Sequence, residues 1–460
     1  MKKSSDAPLR LPLLSRQAVT VDFDGGDLSS DAGLLPLALA DQQLQLTQRL
    51  AAAIQDPREP AKVQHSLLTL CRERIYLIAQ GYADGNDAQA MRHDPLLKVA
   101  VGKTPREGAL AGQATLSRFE NRVTRQDVAR IGQVLLTVFV ARCGVAPRQI
   151  VLDFDPFEDP CHGQQQGVLF NAHYRSHCYL PLYLCGSIDG GRQYVIGALL
   201  RHGHAAPVQG ARYLLKQVVR ALRAQYPQVE IIVRGDSAFG VPKMLNSCRQ
   251  LQVKFCFGKA QNARLHALSE QFQVRAALGW TVRRRREGGP AKPYRVYGEF
   301  LYRAQSWRQE ERLINKTEVT QGTLNPRFVV TNLKREAGWT PKKVYQFYCG
   351  RGDPENRIKE FKEDLEGDRL SCRTFLANQF RLLLHTAAYV LHQSLQEALS
   401  MVAPATEWAG AQVGTIRVKL LKVAARVLER CRGIRVQLPT SYAWQRLWRQ
   451  LLSALQPAAG

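Results

Sequence analysis

The alternation of apolar and polar residues divides the chain into a helical start, a mixed centre and a helical end. Apolar residues recur at helical spacing over 34–54 and over 63–80, which predicts a mainly helical N-terminal region, 1–146. From 147 to 260, short apolar runs between turn residues alternate with amphipathic stretches, which predicts a mixed α/β sheet with flanking helices. The helical period returns in a basic C-terminal region, 396–460.

Short apolar runs are predicted to form the strands of the sheet. They are 150–155, 178–185, 194–200, 229–233, 253–257 and 328–331. Helices are predicted over 211–225, 241–251 and 376–395. Segment 261–325 interrupts the order and is expected to be rich in strands. It contains alternating stretches at 294–302 and 312–320, arginines at 283–286 and a Gly-Gly-Pro turn at 288–290.

Two strands of the predicted sheet stop at aspartates. Asp153 and Asp155 end the run 150–155, and Asp236 follows the run 229–233. An apolar strand that ends in a carboxylate and a turn places that carboxylate at the rim of the sheet. Because side chains alternate along a strand, Asp153 and Asp155 point to the same side. Both are candidates for one site, with Asp155 nearer the strand end.

A third candidate acid, Glu355, stands among polar residues at helical intervals, namely Tyr348, Arg351 and Lys362. On a helical wheel of roughly 100° per residue the four share one face. A carboxylate flanked by two cations and a phenol suits a site that holds a metal ion beside a phosphodiester. An amphipathic helix with i,i+4 ion pairs would show the same spacing. A helix that begins only near Pro354 would place Tyr348 and Arg351 on the preceding turn.

Four neighbouring polar residues are given structural interpretations. Glu158 and Asp159 are expected to be solvated loop charges. His162 and His177 could approach the acids, but an isolated histidine is more often structural than catalytic.

Charge narrows the class of partner. The 460 residues include 64 Lys and Arg against 39 Asp and Glu, a net charge of +25, which favours a nucleic acid as partner over a membrane surface. No apolar run of about 18 residues and no secretory signal are evident, so we expect no membrane association. Ten scattered cysteines form no Cys-x-x-Cys pair, which disfavours a zinc site and favours a reducing, cytoplasmic compartment.

A polar cluster in the N-terminal region is a candidate for DNA contact. Arg118, Asn121 and Arg122 follow Gly112 at helical spacing. Cations suit phosphates, and asparagine can read adenine if its helix enters the major groove. An ordinary surface helix would carry the same residues.

The order Asp, Asp, Glu resembles that of the DDE transposases of bacterial insertion sequences. The pattern Tyr348-x2-Arg351-x3-Glu355-x6-Lys362 is similar to the Tyr-Arg-Glu-Lys signature of one large group of them at all four positions. The resemblance covers about residues 146–400. The family usually has a small or hydroxyl residue after the first acid, where this chain has Pro156, so Asp153 remains the alternative to Asp155.

The resemblance implies an architecture as well as an activity. It implies a ribonuclease-H-like core in 147–260 and 326–395, interrupted by a β-rich insertion, 261–325. In some relatives a tryptophan of that insertion stacks on a displaced base, which makes Trp307 and Trp280 candidates here; a buried core tryptophan is the alternative.

The implied chemistry is metal-dependent cutting and joining of DNA. Asp155, Asp236 and Glu355 would hold two Mg²⁺ ions, with Mn²⁺ as a substitute. Arg351 and Lys362 would contact phosphates, and Tyr348 would orient the DNA end. The family further implies a homodimer on paired terminal inverted repeats, in the bacterial cytoplasm at the nucleoid.

Two other functions are considered. One is a ribonuclease-H-like nuclease that cuts DNA without joining it. The other is a domesticated DNA-binding protein without catalysis. The intact set of three acids argues against the second, because binding alone does not require it.

Overall fold

The computed structural model describes residues 8–11, 17, 19–287 and 292–456, which divide into two compact units. The first, here called the core unit, comprises 124–363 and 367–386. The second, here called the helical unit, comprises the described residues of 1–123, 364–366 and 387–460. The helix Arg125–Arg142, which the apolar pattern assigns to the N-terminal region, belongs to the core unit.

The core unit is built on one eight-stranded sheet. Its strands are β1 (Gln149–Pro156), β2 (Leu182–Ile188), β3 (Gln193–Leu199), β4 (Glu230–Gly235), β5 (Lys254–Lys259), β6 (Tyr294–Tyr302), β7 (Glu311–Thr320) and β8 (Thr323–Thr331). They lie in the order β6-β7-β8-β5-β4-β1-β2-β3. Neighbours β1, β4 and β5 are parallel, and every other pair is antiparallel.

Both faces of the central strands are buried, as is expected where helices cover a sheet on two sides. Successive residues of β4 show this, because Ile231 and Val233 join one hydrophobic cluster and Ile232 joins another. The core-unit helices are Arg125–Arg142, Ala211–Gln225, Pro242–Gln250, Ala263–Leu268, Glu270–Glu287, Arg335–Ala337 (3₁₀), Pro341–Cys349 and Gly352–Lys359, followed by the π-helical turn Glu360–Asp364. The α/β class with flanking helices is therefore confirmed.

The structure differs from the apolar pattern at two places in the core. The predicted strand 178–185 is two strands, Ser176–Tyr179 and β2, because Pro181 lacks an amide hydrogen for the ladder. The first of these pairs with Asp159–Pro160 and Leu169–Asn171 in a small separate sheet.

Segment 261–325 contains helices as well as strands. Two helices, Ala263–Leu268 and Glu270–Glu287, precede β6 and β7, which extend the main sheet. The predicted Gly-Gly-Pro turn at 288–290 lies outside the described residues.

The helical unit contains most of the remaining helices. They are Leu34–Leu44, Leu46–Ala52, Pro60–Lys62 (3₁₀), Leu67–Ala79, Asp87–Met91, Pro95–Ala100, Gln113–Arg122, Glu407–Gly410 (3₁₀), Val413–Ile416, Arg417–Leu421 (π) and Gln445–Leu455. The helix Phe375–Val402 begins in the core unit and ends in the helical unit. It contains the predicted helix 376–395, which is thereby confirmed. Among the described residues, no helix combines the length and apolarity needed to cross a bilayer.

The prediction of a wholly helical C-terminal region is wrong. Strands Ala425–Arg430 and Gly433–Gln437 form a hairpin that pairs with Leu28–Ser29. Ala425 and Val427 are buried two residues apart, the strand period that the basic composition of this stretch obscures. A further small ladder joins Leu9–Leu11 to Val19–Val21.

Candidate active site

Two of the three predicted acids stand at the ends of neighbouring parallel strands. Asp155 lies near the end of β1, and Asp236 directly follows β4. Parallel strands present their carboxyl ends at the same edge of a sheet, so these two carboxylates share one rim.

The signature residues do not lie on one continuous helix. Tyr348 occupies the last turn of Pro341–Cys349, and Glu355 belongs to the next helix, Gly352–Lys359. Arg351 is the N-cap between them. The interpretation of a single helical face is therefore wrong, and the break comes earlier than a helix beginning at Pro354 would place it.

Arg351 connects the first and third acids. Its Nη2 donates to Glu355 Oε1 at 2.6 Å, and its Nη1 donates to Asp155 Oδ1 at 3.3 Å. The Glu355 side chain is 56 % exposed, whereas Asp155 and Arg351 are largely buried. The contact brings residues 196 positions apart in the chain to one site.

The electrostatics of Asp155 show a shortage of positive charge. Burial raises the pKa of Asp155 to about 7. Arg351 opposes this shift in pKa, whereas the negative charges of Asp236 and Glu355 reinforce it. A cation bound beside Asp155 would therefore favour the ionised form of this buried carboxyl group.

Tyr348 lies beside the same acids. Burial raises the pKa of Tyr348, with Arg351 opposing the shift and Asp236 adding to it. A Cβ atom on Gly258 of β5 would lie 2.7 Å from the Tyr348 hydroxyl oxygen, so the absence of a side chain there makes room for the ring.

The three acids suit a hard divalent cation by their chemistry, because Mg²⁺ prefers carboxylate oxygens. Within the described residues, however, no three His, Cys, Asp or Glu side chains are grouped closely enough to hold a metal ion. Arg351 is paired with two of the carboxylates instead. The donor set fits the cation, and metal binding would require Arg351 to give up these contacts.

Asp153 has a different environment from Asp155. Its two carboxylate oxygens each accept a 2.8 Å hydrogen bond from Arg234, and Gln193 donates to Oδ2 at 2.9 Å. Arg234 also donates to the carbonyl oxygen of Phe347 at 2.8 Å and lies 4.8 Å from the centre of its ring. Arg234 thereby ties the end of the helix before Arg351 to the sheet.

Sequence reasoning overlooked Arg234. Its signal is an arginine that directly follows the buried apolar run 231–233 of β4. A charge in that position requires a buried partner. The partner could not be named from the sequence, because Asp153 is 81 residues away.

Lys362 is held by protein groups beside the acids. Its ammonium group donates to the carbonyl oxygen of Glu158 at 3.0 Å and lies 3.6 Å from Asp368 Oδ2. It also stands 5.5 Å from the centre of the Phe157 ring. Lys362 lines a groove of about 610 Å³ together with Asp155 and Glu355, so the structure brings it to the predicted site.

The expectation that Asp159 is a solvated loop charge is wrong. Asp159 is 0 % exposed, and among the described residues neither of its carboxyl oxygens has a hydrogen-bond partner. Burial raises the pKa of Asp159 to about 9, Asp368 adds to the shift and Lys362 opposes it. Glu158 is half-buried and accepts a hydrogen bond from Ser176.

The two candidate histidines lie on the loop and small sheet beyond β1. His177 stands edge-on to Phe170, with 5.3 Å between ring centres. His162 and His177 line a groove that Gln165 and Val168 also border. Both side chains are exposed, so their interpretation as structural residues stays a prediction.

Trp307 is placed in the core. It is 4 % exposed, contacts Tyr302 edge-on at 5.4 Å between ring centres and lies 5.2 Å from Lys259 Nζ. Its ring is not accessible to a base in this conformation, which supports the core interpretation. Trp280 is half-buried, with Arg284 5.3 Å from its ring centre.

The predicted DNA-contacting residues of the helical unit lie on Gln113–Arg122. Leu116 and Phe119 of this helix are buried, and Glu120 forms a buried 2.7 Å ion pair with Arg74. Arg118 and Asn121 are exposed, whereas Arg122 is half-buried 4.0 Å from Asp56. The helix is thus anchored by one face and presents Arg118 and Asn121 on the other.

Comparison with known families identifies the family of this chain. The chain matches the family described as "Transposase DDE domain group 1" over residues 11–459. No curated protein matches it significantly.

Proposed function

Because the chain belongs to this family of DDE transposases, we propose that it binds the terminal inverted repeats of an insertion sequence and cuts and joins DNA strands there. The observation that carries the proposal is the double contact of Arg351 with Asp155 and Glu355, beside Asp236 at the same sheet rim. This arrangement supports Asp155, Asp236 and Glu355 as the three acids that the family name denotes.

The strand order supports a ribonuclease-H-like core. Strands β3-β2-β1-β4-β5 form a continuous block in which β1, β4 and β5 are parallel and β2 and β3 form an antiparallel meander. In this proposal, 261–325 is the insertion, and its strands β6 and β7 enlarge the sheet beyond β8.

We assign the metal-binding role to Asp155, Asp236 and Glu355, with Asp153 serving the fold through Arg234. Two bound Mg²⁺ ions, or Mn²⁺, would activate the attacking oxygen and stabilise the leaving oxygen. Arg351 pairs with both Asp155 and Glu355 in the free protein and would turn to a phosphate when DNA is bound. Such an exchange keeps positive charge beside the carboxylates until DNA arrives.

The remaining contacts position DNA. Lys362 lines the same groove as the acids and is proposed to contact a phosphate, and Tyr348 to orient the DNA end. Arg118, Asn121 and Arg122 are proposed to bind the repeats. The net charge of +25 supports DNA as the partner. Resemblance to the family supports a homodimer that holds the two ends of the insertion sequence together. A DNA substrate supports localisation of the protein at the bacterial nucleoid.

The test separates binding from chemistry. Glu355→Gln keeps the size of the side chain and removes a negative charge near phosphates. We expect it to bind repeat-end DNA at least as well as the parent in Ca²⁺ by gel shift, and to neither cut nor join it in Mg²⁺. Glu363→Gln is the matched control, because Glu363 lines the same groove and its side chain is 66 % exposed.

Three results would redirect the proposal. Normal cleavage by Glu355→Gln would place the third acid elsewhere. Cleavage without strand transfer by the parent would indicate a nuclease. Binding without cleavage by the parent would indicate a DNA-binding protein that has lost catalysis.

A further inference from the structure

The helix Glu270–Glu287 packs against the sheet by one side only. Phe272 and Ala276 are buried, and glycines at 279 and 298 leave no room for a Cβ atom between the helix and β6. The helix therefore lies flat on the strands with its opposite side directed outward.

The outward side carries an apolar ridge. Val274, Leu278 and Val282 are 51 %, 63 % and 55 % exposed. They stand four residues apart, the spacing of the rows that interdigitate when two helices pack. Single exposed apolar residues are ordinary, but a continuous row of three marks an interaction surface.

The ridge is symmetric in sequence. It extends in steps of four to an exposed Glu270 at one end and an exposed Arg286 at the other. If two copies of the helix pair antiparallel about Leu278, Val274 faces Val282 and Glu270 faces Arg286. In this register the other arginines of the helix, at 275, 283, 284 and 285, correspond to positions 281, 273, 272 and 271 of the second copy, none of which is an arginine. Apolar residues thus meet apolar ones, and no arginine meets another.

We propose that this ridge is an interface between two copies of the chain, with the two-fold axis at Leu278. A two-fold interface places the same patch of both subunits in contact, and the sequence symmetry of the ridge satisfies that condition. DNA phosphates would suit Arg283–Arg286 but would leave the apolar row uncovered. A second copy covers the row and pairs its charged ends.

The interface is expected to be weak in the free protein. An 18-residue helix is about 27 Å long. A pair of such helices would bury a smaller area than the roughly 1,200–2,000 Å² that stable complexes bury. Two copies held on one DNA would pair more strongly, because tethering raises their effective concentration. Only this last step rests on the proposed function.

Cysteine crosslinking of the full-length protein tests the geometry without DNA. Leu278→Cys should form a disulfide-linked dimer under mild oxidation at least about tenfold faster than Val274→Cys, because copies of residue 274 would lie about 12 Å apart along the axis, beyond disulfide reach. A mixture of Val274→Cys with Val282→Cys should crosslink as Leu278→Cys does. The parent measures the background from the exposed Cys349 and Cys431. Crosslinking of Leu278→Cys at the parent rate would overturn the proposal.

A charge exchange tests the ends of the ridge in the Leu278→Cys background. Glu270→Arg and Arg286→Glu should each slow crosslinking several-fold, because like charges would then meet. The double variant keeps the net charge and should restore the crosslinking rate of Leu278→Cys alone. Slowing by both singles without restoration would overturn the pairing. If Arg286→Glu instead weakened DNA binding and left crosslinking unchanged, the arginines would serve DNA.

An apolar substitution supplies the matched control. Leu278→Asp should lower self-association measured by sedimentation, whereas Leu301→Asp should not, although Leu301 on β6 is also 63 % exposed. Equal loss in both would assign the interface to another surface. Because the crosslinking and sedimentation measurements use no DNA, their failure would leave the transposase proposal standing.

Discussion

Asp153 and Asp155 stand two residues apart on one strand and point to the same side, yet their surroundings are opposite. Asp153 lies in the buried sheet, where Arg234 and Gln193 satisfy its oxygens. Asp155 lies at the rim, where burial raises its pKa to about 7 although Arg351 donates to it at 3.3 Å. A carboxylate whose oxygens are already paired stabilises a fold. One that lacks positive charge is suited to bind a cation.

The largest expected effect is on catalysis at the rim. Asp155→Asn should reduce DNA cleavage in Mg²⁺ below detection, because the amide cannot replace a charged metal ligand. Its free energy of unfolding should not fall by more than about 1 kcal/mol, since the variant also removes a buried carboxylate with a raised pKa. Cleavage assays paired with urea denaturation measure both. Cleavage by Asp155→Asn at the parent rate would contradict the assignment.

The next effect is on stability inside the sheet. Asp153→Asn leaves the Arg234 charge unpaired in a buried position and should cost about 3–5 kcal/mol of the free energy of unfolding. Under conditions in which the protein remains folded, Asp153→Asn should lose less DNA-cleavage activity than Asp155→Asn. Urea denaturation and cleavage at reduced temperature provide the measurements.

A double variant sharpens this second result. Asp153→Leu with Arg234→Met removes both charges and should recover much of the lost stability. If Asp153→Asn proved as stable as the parent and yet abolished cleavage, the first metal ligand would be Asp153.

The last effect concerns a third carboxylate on the same segment, Asp159. It is buried like Asp153 but has no cation within hydrogen-bond distance among the described residues. The pKa of Asp159 is raised from 3.8 to about 9, so the folded state binds a proton that the unfolded state releases above about pH 4. Stability should therefore decline as pH rises between these values, by at most about 1.4 kcal/mol per pH unit.

Asp159→Asn should remove this decline and stabilise the protein at pH 8 relative to the parent. Thermal unfolding of the variant and the parent, measured from pH 5 to pH 9, would show this change. Glu158→Gln is the control at the neighbouring position. An unchanged pH dependence in Asp159→Asn would mean that the carboxyl group is solvated.

The sequence alone determined several strands and helices of the core unit and the spacing of the candidate site residues. Apolar periodicity predicted the strands from β1 to β5 and the helices between them, because burial on two faces leaves continuous apolar runs. The order of Asp155, Asp236 and Glu355 and the spacing of the signature predicted the family. These features are local, so they can be read from neighbouring residues.

The tertiary structure decided which polar residues meet. The partners of Asp153 come from 40 and 81 residues away, and the contact of Arg351 with Asp155 spans 196. Burial of Asp159 and the hairpin 425–437 likewise depend on what packs against them. Local pattern gives each residue a side of its strand or helix. Only the folded chain fixes the groups that it faces there, because charge, burial and hydrogen bonding are properties of the assembled neighbourhood.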